Sequence, residues 1–220
     1  MAPPTIERLP ASTIEKLQST RGLTATVSDV LGRLGWSLTV PATALAPRHP
    51  QAARVIGYAT TSEYMPVRRR GEPGEDSGEN GEPPPPAFDP GYRLAQPGDV
   101  LVLAAHGMDG ISVFGGRVAA AARLAGIGGI VVDGAIRDLD EFHEVGLPAW
   151  SRGVTPITGK NRLEETSLNA PVCCAGVQVH PGDLVIADAS GVCFVPPQIA
   201  AEVASRTLRI AAAEAGSSIG

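Results

Sequence analysis

The sequence GGIVVDGAIRDLDE, residues 128–141, joins an apolar run to a cluster of charged residues. Residues 130–132 are β-branched and uninterrupted by polar residues, which is typical of a strand covered on both faces. We expect Gly134 to let the backbone turn sharply where this strand ends. Arg137 and Asp138 would then lie at the carboxyl end of the strand, which is where α/β sheets commonly bind ligands.

Arg137 and Asp138 are suited to binding an anion and a metal ion together. A guanidinium group holds a carboxylate through two parallel hydrogen bonds, and an aspartate carboxylate is a hard oxygen ligand for Mg²⁺ or Mn²⁺. The pair therefore predicts a site in which Arg137 binds an anionic substrate and Asp138 binds the metal. The alternative is a structural ion pair or cap at a helix start, and the local sequence leaves both interpretations open.

A glycine pair upstream, Gly115 and Gly116, opens an alanine-rich segment that closes at Gly126. This pattern predicts a helix with a C-terminal glycine. A helix start without bulky side chains exposes N–H groups that attract carboxylate or phosphate. We therefore expect Gly115, Gly116 and Arg117 to contribute to substrate binding.

The order of these segments resembles the RraA-like family. The resemblance rests on the glycine-rich helix start, the motif DGAIRD at residues 133–138 and the later sequence PGDLVIADASGV at residues 181–192. This family includes the 4-hydroxy-4-methyl-2-oxoglutarate/4-carboxy-4-hydroxy-2-oxoadipate aldolases and the regulator of ribonuclease E activity. In the aldolases, an acidic residue lies twenty intervening positions before the Arg-Asp pair. In this chain that position is Gly116.

The resemblance implies an α/β fold with a compact central sheet, a sandwich or barrel of the swivelling β/β/α type flanked by helices. It also implies a lyase that uses Mg²⁺ or Mn²⁺ to cleave a carbon–carbon bond in a small 2-oxo acid, by retro-aldol cleavage or oxaloacetate-type decarboxylation. Homotrimers or hexamers with sites at subunit boundaries are a further implication. Because Gly116 carries no carboxylate, His106 and Asp109 are the candidates for the acid–base role, and a solvated polar loop is the alternative for both.

Two other classes of function stay open. The first is the same fold used for another reaction on an acidic metabolite, which Gly116 and a proline-rich insertion favour. The second is a binding protein of the ribonuclease-regulator type that acts by contact. The intact Arg137-Asp138 pair counts against the second class, because a protein that acts by contact needs no metal ligand.

Length and composition favour a single cytoplasmic domain over residues 1–220. A hydrophobic content of 43% can form one substantial core. The net charge of −5 argues against nucleic-acid binding. The three cysteines form neither a disulfide framework nor a zinc-binding spacing, which favours a reducing compartment. We find neither an export signal nor a run of membrane-spanning length.

Two polar stretches interrupt the apolar pattern. Residues 66–96 contain three consecutive arginines, several acidic residues and four consecutive prolines, which predicts an extended or mobile insertion loop. Residues 151–169 form the second stretch, in which Lys160 faces either an anionic ligand or solvent.

Turn and periodicity signals predict other elements. Pro-Gly-Asp occurs at residues 97–99 and again at 181–183, each time before an apolar run. We expect each aspartate to bond the turn backbone. Ser12 and Glu15 are expected to form a capping box at the start of a short first helix. Further helices are expected at residues 24–35 and 198–214, and a strand at 53–61.

Overall fold

The computed structural model describes residues 7–48, 54–68 and 93–217. Most of the predicted insertion at residues 66–96 therefore lies outside the described residues. The helices are Ala11–Ser19 (α1), Leu23–Arg33 (α2), Gly116–Leu124 (α3), Leu139–Val145 (α4) and Pro197–Ser217 (α5). The strands are Thr39–Pro41 (β1), Ala46–Pro47 (β2), Val55–Pro66 (β3), Val100–Phe114 (β4), Gly129–Ile136 (β5), Ala149–Val154 (β6), Leu163–Leu168 (β7), Val172–Cys174 (β8), Val177–Val179 (β9), Leu184–Asp188 (β10) and Gly191–Val195 (β11).

The central sheet has a parallel middle and antiparallel edges. Strands β3, β4, β5 and β6 are parallel neighbours in that order. Beyond β3 the sheet continues through β10, β11 and β1, and β2 pairs antiparallel with β6. Strand β3 changes neighbours along its length, because β10 pairs with its first residues and β7 with its last. The fold is the predicted α/β class, with a large central sheet flanked by helices.

Apolar side chains fill the space on both faces of the sheet. Helices α3 and α4 cover β4 and β5 over a cluster that includes Leu101 and Ile130. Helices α1, α2 and α5 cover β3, β10 and β11 over a cluster that includes Leu31. The opposite face packs around Val131 and Trp150 and is covered by the β8–β9 hairpin. Burial on both faces explains the unbroken apolar run at residues 130–132, all of which are 0% exposed, as predicted.

Both Pro-Gly-Asp turns have the predicted hydrogen bond. The Asp99 carboxylate accepts the N–H of Gln96 at 2.8 Å, and the Asp183 carboxylate accepts the N–H of His180 at 2.8 Å. The glycine of each turn has a positive φ, 89° and 87° respectively, which glycine adopts without steric cost. Burial raises the pKa of Asp183, and the hydrogen bond from His180 opposes that rise.

The turn predicted at Gly134 was wrong. Strand β5 continues through Gly134 to Ile136. Gly134 instead permits a close approach, because a Cβ there would lie 2.9 Å from the Cβ of Ala105. The backbone reverses at Asp138, which has φ 60° and ψ 49°.

Other local predictions were also wrong. Helix α1 begins at Ala11 after Pro10, and no side chain caps its start, so Ser12 is not the N-cap. The segment of His106 and Asp109 is not a loop but part of β4, which continues with irregular register to Phe114. Helix α4 was not predicted. No helix among the described residues is long and apolar enough to cross a membrane.

Candidate active site

The candidate site lies where two neighbouring parallel strands end. Phe114 of β4 pairs with Ile136 of β5, and the N–H of Arg137 donates to the carbonyl of Phe114 at 3.0 Å. The residues that follow each strand therefore meet at one edge of the sheet. Gly115 and Gly116 follow β4, and Arg137 and Asp138 follow β5.

The Asp138 carboxylate connects the two strand ends. Its Oδ2 lies 3.1 Å from Nε of Arg137 and accepts the N–H of Gly116 at 3.2 Å. Both contacts use Oδ2, so Oδ1 has no hydrogen-bond partner among the described residues. The left-handed backbone of Asp138 is uncommon outside glycine, and such conformations cluster at ligand and catalytic sites.

Gly115 makes room for the Arg137 side chain. A Cβ on residue 115 would lie 2.8 Å from Nε of Arg137 and 2.9 Å from Oδ2 of Asp138. Only Nε of Arg137 is paired with Asp138, and the two terminal guanidinium nitrogens have no hydrogen-bond or ion-pair partner within residues 7–48, 54–68 and 93–217. The Arg137 side chain is 33% exposed, so this fork is available to bind a carboxylate.

A second carboxylate, Glu141, lies at the same place and was missed by the sequence reasoning. A Cβ on Gly116 would overlap Oε2, Cδ and Cβ of Glu141. Helix α4 is held there by the buried ring of Phe142, which packs against Phe114 with centroids 5.9 Å apart. Glu141 lies three residues after Asp138, a spacing that brings side chains to one side of a helix, but this signal depends on knowing that α4 exists.

The donor set fits a hydrated magnesium-type ion. No group of three or more His, Cys, Asp or Glu side chains gathers as a metal site in the described parts of the chain. Mg²⁺ does not require such a group, because it usually keeps several waters and binds one or two carboxylates together with substrate oxygens. Asp138 offers a free carboxylate oxygen that is open to solvent, since its side chain is 34% exposed.

The other predicted site residues lie apart from this group of contacts. Nε2 of His106 is 3.2 Å from Oε1 of Glu63, and Asp109 packs against Gly153. Within the described residues, neither His106 nor Asp109 forms a hydrogen bond or ion pair with Arg137 or Asp138.

The two predicted basic residues, Arg117 and Lys160, also take no part in the contacts around Asp138. Arg117 is exposed on α3. Lys160 lies in the turn before β7, and its N–H donates to Oγ1 of Thr158 at 3.2 Å. The roles of these side chains stay predictions.

Asp133, the first residue of the DGAIRD motif, is structural. Its side chain is buried and pairs with Nε of Arg152 on β6. Its other oxygen accepts the N–H of Ala175 at 2.8 Å, which ties the β8–β9 hairpin to β5. The motif therefore combines a buried structural carboxylate with a solvent-accessible one at Asp138.

Comparisons with known proteins agree with this fold. The family model RraA-like, described as Aldolase/RraA, matches residues 24–194. Streptomyces coelicolor RraAS2, described as an unusual member of the RNase ES inhibitor RraA protein family, has a similar structure. The TM-score is 0.73 at 30% identity, and the match covers 97% of this chain and 99% of that chain.

Curated relatives carry aldolase names. A candidate 4-hydroxy-4-methyl-2-oxoglutarate aldolase of Halalkalibacterium halodurans is 40% identical over 46% of this chain and 48% of its own length. The 4-hydroxy-4-methyl-2-oxoglutarate aldolase of Thermus thermophilus is 33% identical over 45% of this chain and 60% of its own length. The chain thus spans about half the length of the curated relatives it matches. Because the family model matches most of the sequence, the chain belongs to the RraA-like family.

Proposed function

We propose that the chain is a divalent-metal-dependent lyase that cleaves a carbon–carbon bond in a small 2-oxo acid. The cleavage is either a retro-aldol reaction or an oxaloacetate-type decarboxylation. The observation that carries this proposal is the unpaired guanidinium fork of Arg137 beside the free Oδ1 of Asp138. The aldolase names of the relatives support the same class of reaction.

Arg137 binds the substrate carboxylate through its two terminal nitrogens and so orients the adjacent 2-oxo group toward Asp138. The ion pair with Asp138 holds the guanidinium in place before the substrate binds, and Gly115 leaves the space that the guanidinium needs. Mg²⁺ or Mn²⁺ held by Asp138 would polarise the 2-oxo carbonyl, so that it accepts the electrons of the breaking carbon–carbon bond.

The Gly116 N–H has a different role from the one expected. It donates to Asp138 and so orients that carboxylate, rather than pointing freely toward the substrate. Retro-aldol cleavage also needs a base that accepts the substrate hydroxyl proton. His106, which pairs with Glu63, and Asp109 stay the predicted candidates for this base, and within the described residues neither is bonded to Arg137 or Asp138.

The exposed position of the site favours assembly. Arg137 and Asp138 are each about one-third exposed, and we take them with Gly115, Gly116 and Glu141 as one wall of the substrate site. We propose a ring-like homotrimer or hexamer in the cytoplasm, in which a neighbouring subunit supplies the opposite wall.

The test is release of pyruvate, coupled to lactate dehydrogenase, from oxaloacetate and from 4-hydroxy-2-oxo diacids. EDTA-treated protein is compared before and after addition of Mg²⁺ or Mn²⁺. The proposal expects at least one substrate to be cleaved only when the metal is restored. If no substrate released pyruvate with either metal, the proposal would be contradicted.

Similarity to RraAS2 over nearly the full length of both chains favours a second candidate, a protein that regulates a ribonuclease by contact. This candidate expects binding to a ribonuclease of the RNase ES type and no pyruvate release. It also expects that substitution of Arg137 and Asp138 leaves ribonuclease binding unchanged, because these residues serve substrate and metal under the first proposal only.

A further inference from the structure

Glu141 occupies the volume that a side chain at position 116 would otherwise fill. A Cβ on Gly116 would overlap the Glu141 carboxylate and also its Cβ and Cδ. Gly116 itself is buried, whereas Glu141 is exposed. The absence of a side chain at residue 116 is therefore what allows the Glu141 carboxylate to lie against the start of α3.

Two carboxylates thus contact one glycine. Oδ2 of Asp138 accepts the Gly116 N–H, and Oε2 of Glu141 lies over the position of the missing Gly116 Cβ. Two positive groups lie at this point: the guanidinium of Arg137, which pairs with Asp138, and the N-terminal end of α3, where Arg117 is exposed. Like charges that are brought close together repel each other unless a positive charge balances them.

A hydrated divalent cation would balance this arrangement. It binds one or two carboxylates and leaves its remaining positions to water and substrate. From this geometry we infer that Glu141 is the second carboxylate that holds the cation with Asp138, and that it supplies from α4 the negative charge that Gly116 of α3 lacks. This inference rests on the proposed function and names a further residue of the same site.

The first test is calorimetric titration of the EDTA-stripped full chain with Mn²⁺ alone. Glu141→Gln keeps the shape of the side chain and removes its charge, so the dissociation constant for Mn²⁺ should rise by roughly 10-fold or more. Asp140→Asn is the matched control, because it removes an exposed carboxylate from the adjacent position of the same helix. We expect the control to bind Mn²⁺ within about 2-fold of the unsubstituted chain.

The second test moves the carboxylate between the two helices. Glu141→Gly removes both the charge and the Cβ that blocks residue 116, so it should weaken Mn²⁺ binding as Glu141→Gln does. Adding Gly116→Asp to Glu141→Gly restores a carboxylate at the start of α3, and we expect it to recover most of the lost affinity. Thermal unfolding of each variant separates loss of binding from loss of folding.

The outcomes distinguish this inference from the proposed function. If the unsubstituted chain binds Mn²⁺ and releases pyruvate but Glu141→Gln binds Mn²⁺ equally well, the role of Glu141 is wrong and the proposed function stands. If the unsubstituted chain binds no divalent cation, both are wrong. Weaker Mn²⁺ binding by Glu141→Gln together with recovery in the double variant supports the inference.

Discussion

Gly116 of α3 and Glu141 of α4 pack so closely that a Cβ on residue 116 would overlap the Glu141 side chain. The overlap includes the Cβ of Glu141, which cannot move without the helix, as well as the flexible carboxylate end. The contact between the two helices therefore requires glycine at residue 116. It also places the Glu141 carboxylate against the start of α3, where Oδ2 of Asp138 accepts the Gly116 N–H.

Gly116→Ala should lower the free energy of unfolding by about 1–3 kcal/mol, the usual effect of forcing an extra group into a packed contact. Alanine is favoured over glycine in a helix by about 1 kcal/mol, so a loss of stability could not come from helix propensity. It would report the steric overlap with Glu141. Urea denaturation measures the change. Gly32→Ala on α2 is the control, because its added Cβ meets no atom within 4 Å and should stabilise the chain.

The same measurement can be repeated in a chain that already lacks the Glu141 side chain. In a Glu141→Gly background the overlap is gone, so Gly116→Ala should become neutral or stabilising. Equal destabilisation by Gly116→Ala in both backgrounds would show that the α3–α4 contact is not as described.

Arg137→Lys should weaken substrate carboxylate binding and turnover by about 10-fold or more. Lysine keeps the charge but loses the planar fork whose two terminal nitrogens form parallel hydrogen bonds. Steady-state kinetics of pyruvate release measures the effect. Arg123→Lys, an exposed substitution on α3, is the control and should leave the kinetics unchanged. Equal values for the Arg137 variant and the unsubstituted chain would assign the guanidinium a structural role.

One cysteine of three should react readily in the folded protein. Cys173 is exposed, whereas Cys174 and Cys193 are buried. Burial raises the pKa of Cys193 to about 11, although a hydrogen bond with Thr39 opposes the rise. At pH 8 the Cys193 thiol is therefore protonated as well as inaccessible, and thiolate is the reactive form.

Alkylation with iodoacetamide followed by peptide mass spectrometry checks this expectation. Cys173 should be modified in the native protein, and all three cysteines after denaturation. Rapid modification of Cys193 in the native protein would mean that the packing of α2 against β11 is looser than described.

Size exclusion coupled to light scattering should give three or six times the chain mass of 22.6 kDa. The reason is that the site as described has one wall and stays partly exposed. A neighbouring subunit in a closed ring would supply the other wall. Full lyase activity in a fraction at the mass of a single chain would contradict this assembly.

The sequence predicted features whose cause is local. The apolar run at residues 130–132 is buried as expected, and Asp99 and Asp183 both form the expected turn hydrogen bond. These features depend on residues a few positions apart, so short patterns are enough to find them. The Arg137-Asp138 pair was likewise visible as a candidate site, because it follows such a run.

Features that depend on distant partners were not predicted. Asp133 is structural because of Arg152 and Ala175, which lie far along the chain. Glu141 lies on a helix whose neighbouring ring, Phe142, packs on Phe114 of a different element. Gly134 was interpreted as a turn because its actual constraint, the approach of Ala105 from β4, is not local.

The most direct test of the lyase proposal is a Mg²⁺ titration of pyruvate release by the unsubstituted chain and by Asp138→Asn. Asparagine tolerates the left-handed backbone at residue 138 and keeps the side-chain shape, so the fold should be preserved while the anionic ligand is lost. We expect saturable activation of the unsubstituted chain by Mg²⁺, and in Asp138→Asn a rate lower by roughly 100-fold or more. Equal Mg²⁺ dependence in the two proteins, or full activity of the unsubstituted chain after EDTA treatment, would contradict the account.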